Sequence, residues 1–151
     1  EKSYVRGHAS GKSWREAMLE EVGDQLDMKR ILFLGRVPYD VLLRVFSITS
    51  LHVYMTFPFV LSWSMLEAMA CEAPVLGSST GPVTEVIKDG ENGFLFEYFS
   101  EDDLVAKVSD LMEKPDLRRD VGKRARQYII DNYDLNTICL PQHLALINSL
   151  V

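Results

Sequence analysis

The chain has 151 residues, 16 Lys and Arg against 22 Asp and Glu, a net charge of −6 and 47% hydrophobic residues. A chain this long buries about 68–70% of its unfolded surface and can build a core without metal or disulfide help; its two cysteines, Cys71 and Cys139, are far apart and form no CxxC pair. The acidic balance argues against nucleic acid as a partner, no apolar run reaches the roughly 18 residues of a transmembrane helix, and no signal-peptide core opens the sequence, so a reducing, cytoplasmic setting is expected.

Residues 1–12 mix Gly, Ser, Lys and Arg without period and read as an exposed loop. Within them Gly7-His8-Ala9-Ser10-Gly11-Lys12-Ser13 is one residue short of the phosphate-binding form GxxxxGK(S/T) and follows no strand, which leaves a loop running into a capped helix. Ser13-Trp14-Arg15-Glu16 has the S-x-x-E form of a capping box, with Trp14, Ala17, Met18 and Val22 on one helical face. Arg30-Ile31-Leu32-Phe33-Leu34, stopped by Gly35, predicts a buried strand. Leu42, Leu43, Val45 and Phe46 carry a helix, Leu51 to Met55 a strand, residues 65–70 the centre of a helix, and Pro74 to Ser78 another strand. A helical turn over Val83 to Ile87 leads through the turn signals Asp89-Gly90 and Asn92-Gly93 to a strand at Phe94-Leu95-Phe96. Ser100, three residues before Asp103, caps a helix reaching Glu113. Pro115 opens the next, whose apolar face is Leu117, Val121, Ala125, Tyr128 and Ile129, and a last helix covers Leu135 to Leu150.

Strands that alternate with helices and are apolar on both faces predict a doubly wound α/β domain with a parallel sheet, a single unit over residues 1–151. Ligands of such sheets sit beyond the carboxyl ends of the strands, which singles out three loops: Gly35-Arg36-Val37-Pro38, Thr56 to Ser64, and Ser78 to Pro82. No GxGxxG runs between a strand and a helix, so NAD and FAD recede, and the strand ends Leu34-Gly35 and Tyr54-Met55 provide none of the acidic residues that a phosphoacceptor domain needs. What the loops offer is a place for an anion. Leu61-Ser62-Trp63-Ser64 begins a helix whose free N–H groups and hydroxyls suit a phosphate, and Ser78-Ser79-Thr80 is equally rich in hydroxyls.

Several residues carry two readings. Glu67 could accept both hydroxyls of a ribose; from spacing alone, Ser64-Met65-Leu66-Glu67 reads first as a capping box. Arg118, Arg119, Lys123, Arg124 and Arg126 could make a weak contact with anionic lipid at a membrane surface, or simply form a solvated helix face, the commoner outcome. His8, His52 and His143 are too scattered for a metal triad, and no metal is expected; His52, within a strand, reads as a hydrogen-bonded core residue.

The run Met65-Leu66-Glu67-Ala68-Met69-Ala70, then Pro74-Val75, then Glu85-Val86-Ile87, then Asn92-Gly93-Phe94-Leu95, resembles the signature of retaining GT-B glycosyltransferases of family 4, and the likeness extends from Phe33 to Tyr133. The resemblance implies the second, donor-binding Rossmann-like domain of a two-domain enzyme, with a nucleotide diphosphate sugar as its substrate, no cofactor, and an N-terminal acceptor domain of the same protein as its partner. It reverses the reading of Glu67, which matches the second glutamate of the family's E-x7-E motif, the residue that holds the ribose diol. Gly35, Arg36 and Val37 would border the base, and the turn at Val60, Leu61, Ser62 and Trp63 would receive the distal phosphate and sugar. Phe59 stands where the family has its first glutamate, and Val60 and Ser62 where it has glycines. The family's diphosphate-binding Arg and Lys precede the segment matched here, so the chain is expected to be an excised domain that is inactive alone, the full parent being the enzyme. A catalytically inactive nucleotide-sugar-binding or assembly module is the alternative.

Overall fold

Three short apolar runs pair side by side into a parallel sheet. The computed structural model describes residues 9–56 and 60–150, which fall into two compact units, Glu1–Val37 and Pro38–Val151.

The first unit holds α1 (Trp14–Val22), and its start follows the sequence closely. Ser13 Oγ accepts the Glu16 N–H at 3.3 Å while Glu16 Oε2 accepts the Ser13 N–H at 2.8 Å. These bonds, the backbone one first, hold the Glu16 carboxyl below its ordinary pKa. Two short 3-10 turns, Gly23–Gln25 and Met28–Arg30, follow. The strand predicted over residues 30–34 is not formed. Ile31 has extended dihedrals, but residues 31–34 pair with no strand among the described residues, and Leu32 is 80% exposed. Apolar, β-prone side chains favour an extended backbone; only a partner's N–H and C=O groups make it a strand. Phe33 instead lies under the Arg15 guanidinium, 4.8 Å from the ring centre.

In the second unit α2 (Tyr39–Ile48) leads to β1 (His52–Tyr54), α3 (Trp63–Ala70), β2 (Val75–Ser78), the single turn α4 (Gly81–Thr84) and β3 (Phe94–Phe96). The strands lie in the order β1-β2-β3, all parallel, with Val53 opposite Leu76 and Gly77 opposite Leu95. The central strand is buried throughout. Its successive side chains enter different clusters: Val75 joins Phe46, Met65, Ala68, Met69 and Val83, whereas Leu76 joins Phe94, Phe96, Leu111 and Val121. Covering on both faces is why this central run carries no polar alternation, and each large apolar side chain so buried contributes about 1.5–3 kcal/mol. The α/β class with a parallel sheet is therefore as the sequence predicts. One expectation about the core changes: His52 Nε2 is buried without a hydrogen-bond partner among the described residues, and the ring packs edge-on against Phe46 at 5.2 Å. Burial lowers its pKa.

Two glycines permit close approach. A Cβ on Gly77 would meet Val83 Cγ1 at 2.8 Å, and one on Gly122 would meet the Glu72 carbonyl oxygen at 2.2 Å. The second contact seats α6 (Pro115–Tyr133) against the end of α3, where Glu72 takes a positive φ of 63°. Helix α5 (Glu101–Met112) begins at Ser100, whose Oγ accepts the Asp103 N–H, and Pro115 occupies the first turn of α6, both as predicted. The final helix departs from expectation. Residues Leu135–Cys139 form a π-helical turn, and α7 spans Leu140–Asn148 with no buried residue. Pro141 has no N–H to continue an α-helical ladder, and the Asp134 carboxylate draws the Asn136 and Thr137 N–H groups to itself.

Candidate functional site

The carboxyl ends of the strands of the second unit meet two of the three loops that the topology singles out. Tyr54 ends β1 with its ring buried, and its hydroxyl accepts the Ser62 N–H at 2.9 Å. Across the sheet Ser78, fully buried at the end of β2, pins the same loop from the other side: its Oγ accepts the Thr56 N–H and donates to the Thr56 carbonyl, both at 3.3 Å. Ser79 N–H donates to the Phe96 carbonyl at 2.7 Å, tying the second loop to the end of β3. Thr80 is 6% exposed, and its Oγ1 is buried with no partner among the described residues.

Ser62 is the N-cap of α3. Its Oγ accepts the Ser64 N–H at 3.3 Å and lies 2.9 Å from Ser64 Oγ, while its carbonyl accepts the Met65 N–H. Among the described residues nothing accepts from the Trp63 N–H, and the first turn carries no acidic side chain. A helix start of this kind presents a partial positive charge and open donors to an anion.

The capping box proposed over Ser64 to Glu67 is not formed. Ser62 caps two residues earlier, because Tyr54 fixes its backbone, and Ser64 falls inside the helix. Glu67 therefore sits in the second turn, half-buried, with its carboxylate free of any capping duty. Its Oε1 accepts a hydrogen bond from the Tyr39 hydroxyl at 3.0 Å. That bond, followed by desolvation and the Glu67 charge, raises the Tyr39 pKa above its ordinary value.

The remaining candidates are placed as follows. Trp63 is 81% exposed on the first turn of α3, Val60 is exposed, and Leu61 packs against the core. Phe59 lies outside the described residues, as do Gly7 and His8 of the glycine-containing loop. Gly35, with φ 64°, Arg36 and Val37 belong to the first unit; Arg36 is exposed and Val37 half-buried. Sequence reasoning missed Tyr39 and Tyr54. Both have a topological signal: one is the last residue of a strand, the other the first of a helix that follows one of the three loops.

The basic helix face is put to internal use. Arg118, 9% exposed, donates to the Ser50 carbonyl at 2.6 Å and the Met112 carbonyl at 3.4 Å. Arg119 pairs with Asp116. Arg124 donates to the Glu91 and Gly90 carbonyls, and Arg126 to the Ala70 carbonyl, with Glu72 at 3.8 Å. Four of the five cations thus tie α6 to loops, to the ends of α3 and α5 or to itself, a use that neither the lipid contact nor the solvated face anticipates. No helix among the described residues is long and apolar enough to cross a membrane.

Comparison with known proteins adds the context of this geometry. The family model described as glycosyl transferases group 1 matches residues 6–128. N-acetyl-alpha-D-glucosaminyl L-malate synthase of Bacillus anthracis is 29% identical over 104 residues, 69% of this chain and 27% of that protein. Trehalose synthase of Thermococcus litoralis is 28% identical over 147 residues, 96% of this chain and 35% of that protein. Among solved structures, sucrose-phosphate synthase from Thermosynechococcus elongatus superposes with a TM-score of 0.77 at 23% identity, covering 95% of this chain and 36% of that one. Anabaena HepE in complex with UDP-glucose superposes with a TM-score of 0.79 at 20% identity, covering 91% and 37%. The chain spans about a third of the length of these relatives.

Proposed function

The chain belongs to the glycosyl transferases group 1 family, and from that premise we propose that it is the donor-binding part of a glycosyltransferase, holding a nucleotide diphosphate sugar at the carboxyl edge of its sheet. One observation carries the reading: α3 sets a carboxylate, Glu67, one turn behind a serine-capped helix start that has no acidic residue of its own. A nucleoside diphosphate has the complementary pair of features, a diol that donates hydrogen bonds and phosphates that accept them. Glu67 takes the ribose hydroxyls; the Trp63 N–H and the Ser62 and Ser64 hydroxyls face the distal phosphate, where the helix end favours the charge that grows on the departing diphosphate. The binding of UDP-glucose by a protein of the same fold is in keeping with this arrangement.

Retention of configuration at the transferred sugar, departure of the diphosphate without a metal, an acceptor held by an N-terminal domain of the same protein and residence in the cytoplasm belong to the same proposal, and rest on the family resemblance. Phe59 in place of the family's glutamate favours a second reading, a module that binds the nucleotide sugar without transferring it.

Calorimetric titration with UDP, GDP, ADP and their glucose conjugates tests the site. Saturable binding of one nucleotide that weakens about tenfold or more in Glu67→Ala is the expected result; binding that this substitution leaves unweakened would sink the assignment. Release of sugar from the bound donor by the full polypeptide separates the enzyme from the silent module.

A further inference from the structure

The bond between Tyr39 and Glu67 joins residues 28 positions apart, and the fold does not need it. The packing of α2 on α3 is supplied by Leu42, Leu43 and Phe46 against Met65, Ala68 and Met69, while the Tyr39 ring stands 59% exposed at the first position of α2. Both ends of the bond are nevertheless fixed. Pro38, at φ −58°, sets the entry to α2, and the fully buried Met65, Ala68 and Met69 fix the backbone that carries Glu67. The Glu67 side chain itself has three rotatable bonds and, among the described residues, one hydrogen bond to its carboxylate, from the Tyr39 hydroxyl to Oε1. A carboxylate has about four lone-pair positions. With one of them occupied by a fixed donor, Oε2 and the remaining position on Oε1 point in set directions.

We infer that Tyr39 is a positioning residue for this carboxylate: by holding Oε1 it presents Oε2 to an incoming cis-diol and so makes the site discriminate a ribonucleotide from its 2′-deoxy counterpart. The inference rests on the donor-binding reading above. A phenol is protonated throughout the neutral range at its ordinary value, so Tyr39 is a donor there, and the bond to Glu67 moves its pKa further up. Ordering the carboxylate before the ligand arrives lowers the entropic cost of binding, and a ligand without the 2′-hydroxyl gains less from that order.

The test uses the full polypeptide that carries these residues. UDP, GDP and ADP are titrated, and the tightest binder is compared with its 2′-deoxy form. In the unchanged protein the ribonucleotide binds about tenfold tighter or more, the value of a charge-assisted hydrogen bond. Glu67→Ala brings that ratio to about one. Tyr39→Phe lowers it to about two- to threefold with an unchanged melting temperature, and on the Glu67→Ala background it does nothing further. If Tyr39→Phe weakens both nucleotides equally, or leaves both unaltered, the preference for ribose is intact and the positioning role is overturned while the site stands. If no nucleotide binds, or the preference survives Glu67→Ala, the donor-site reading fails and the inference falls with it.

Discussion

Helices α3 and α5 begin at the same edge of the sheet, each following a parallel strand and each capped by a serine, Ser62 and Ser100. The first turn of α5 carries Glu101, Asp102 and Asp103; that of α3 carries no acid. A carboxylate in the first turn offsets the positive end of a helix and stabilises it by about 0.3–1 kcal/mol. Helix α5 uses this device fully and so neutralises itself. Helix α3 forgoes it, and its uncompensated end is open to a negative charge from outside the chain. Of two equivalent positions in the fold, one is neutralised by its own first turn and the other has no acid there, which is the difference the proposed donor site relies on.

The contrast can be broken at several places. The largest effect is expected where α3 is seated: Gly122→Ala sets a carbon against the Glu72 carbonyl and should cost about 3 kcal/mol in urea unfolding, whereas a loss below about 1 kcal/mol would mean that the end of α3 is free to move. Next comes the anchoring of the two helix tails. Arg118→Met strips the buried donor from Met112, at the end of α5, and from Ser50, and should cost about 2 kcal/mol; Arg126→Met, at the half-exposed tail of α3, should cost less than about 1 kcal/mol. Equal losses would erase the difference between the tails. A smaller effect probes the helix starts directly. Ser62→Asp should weaken nucleotide binding about tenfold by repelling the phosphates, and Ser100→Asp should leave binding unaltered. The smallest concerns β1, whose two ends differ as the helices do: Tyr54 reaches the site and His52 does not. The His52 pKa is lowered in the folded chain, so its neutral form contributes stability that is complete above the ordinary 6.5 and is lost as pH falls through the folded value. Chemical denaturation between pH 7 and pH 5 should show that decline, and His52→Phe should flatten it.

What the sequence shows on its own is what local chemistry decides. The Ser13–Glu16 box, the Ser100 cap and Pro115 lie within a few residues of what they control, and each stands where its spacing puts it. The run at residues 30–34 could not be settled that way, since strand formation depends on a partner that the run does not contain. The start of α3 offered two serines of equal local merit, Ser62 and Ser64, and the choice is made by Tyr54 eight residues back. Likewise the basic residues of α6 look like a surface face until the carbonyls of Ser50, Ala70, Gly90 and Glu91 are brought beneath them. Tyr39 is the clearest case of the same limit, since nothing in its neighbourhood announces Glu67.

The Tyr54 to Ser62 bond has a consequence for how such a site can change over time. The segment between them starts and ends on a single residue: Tyr54 supplies its first peptide link from the backbone and its closing bond from the side chain, with Ser78 gripping Thr56 in between. Both ties, Tyr54 to Ser62 and Ser78 to Thr56, are made by residues outside 57–60, and Leu61 packs on the core. Doubling the length of such a segment adds only about 0.6 kcal/mol of closure entropy. The start of α3 is held to the end of β1 by groups that residues 57–60 do not supply, so the sequence there can change over time while these ties, and the helix start they fix, stay in place.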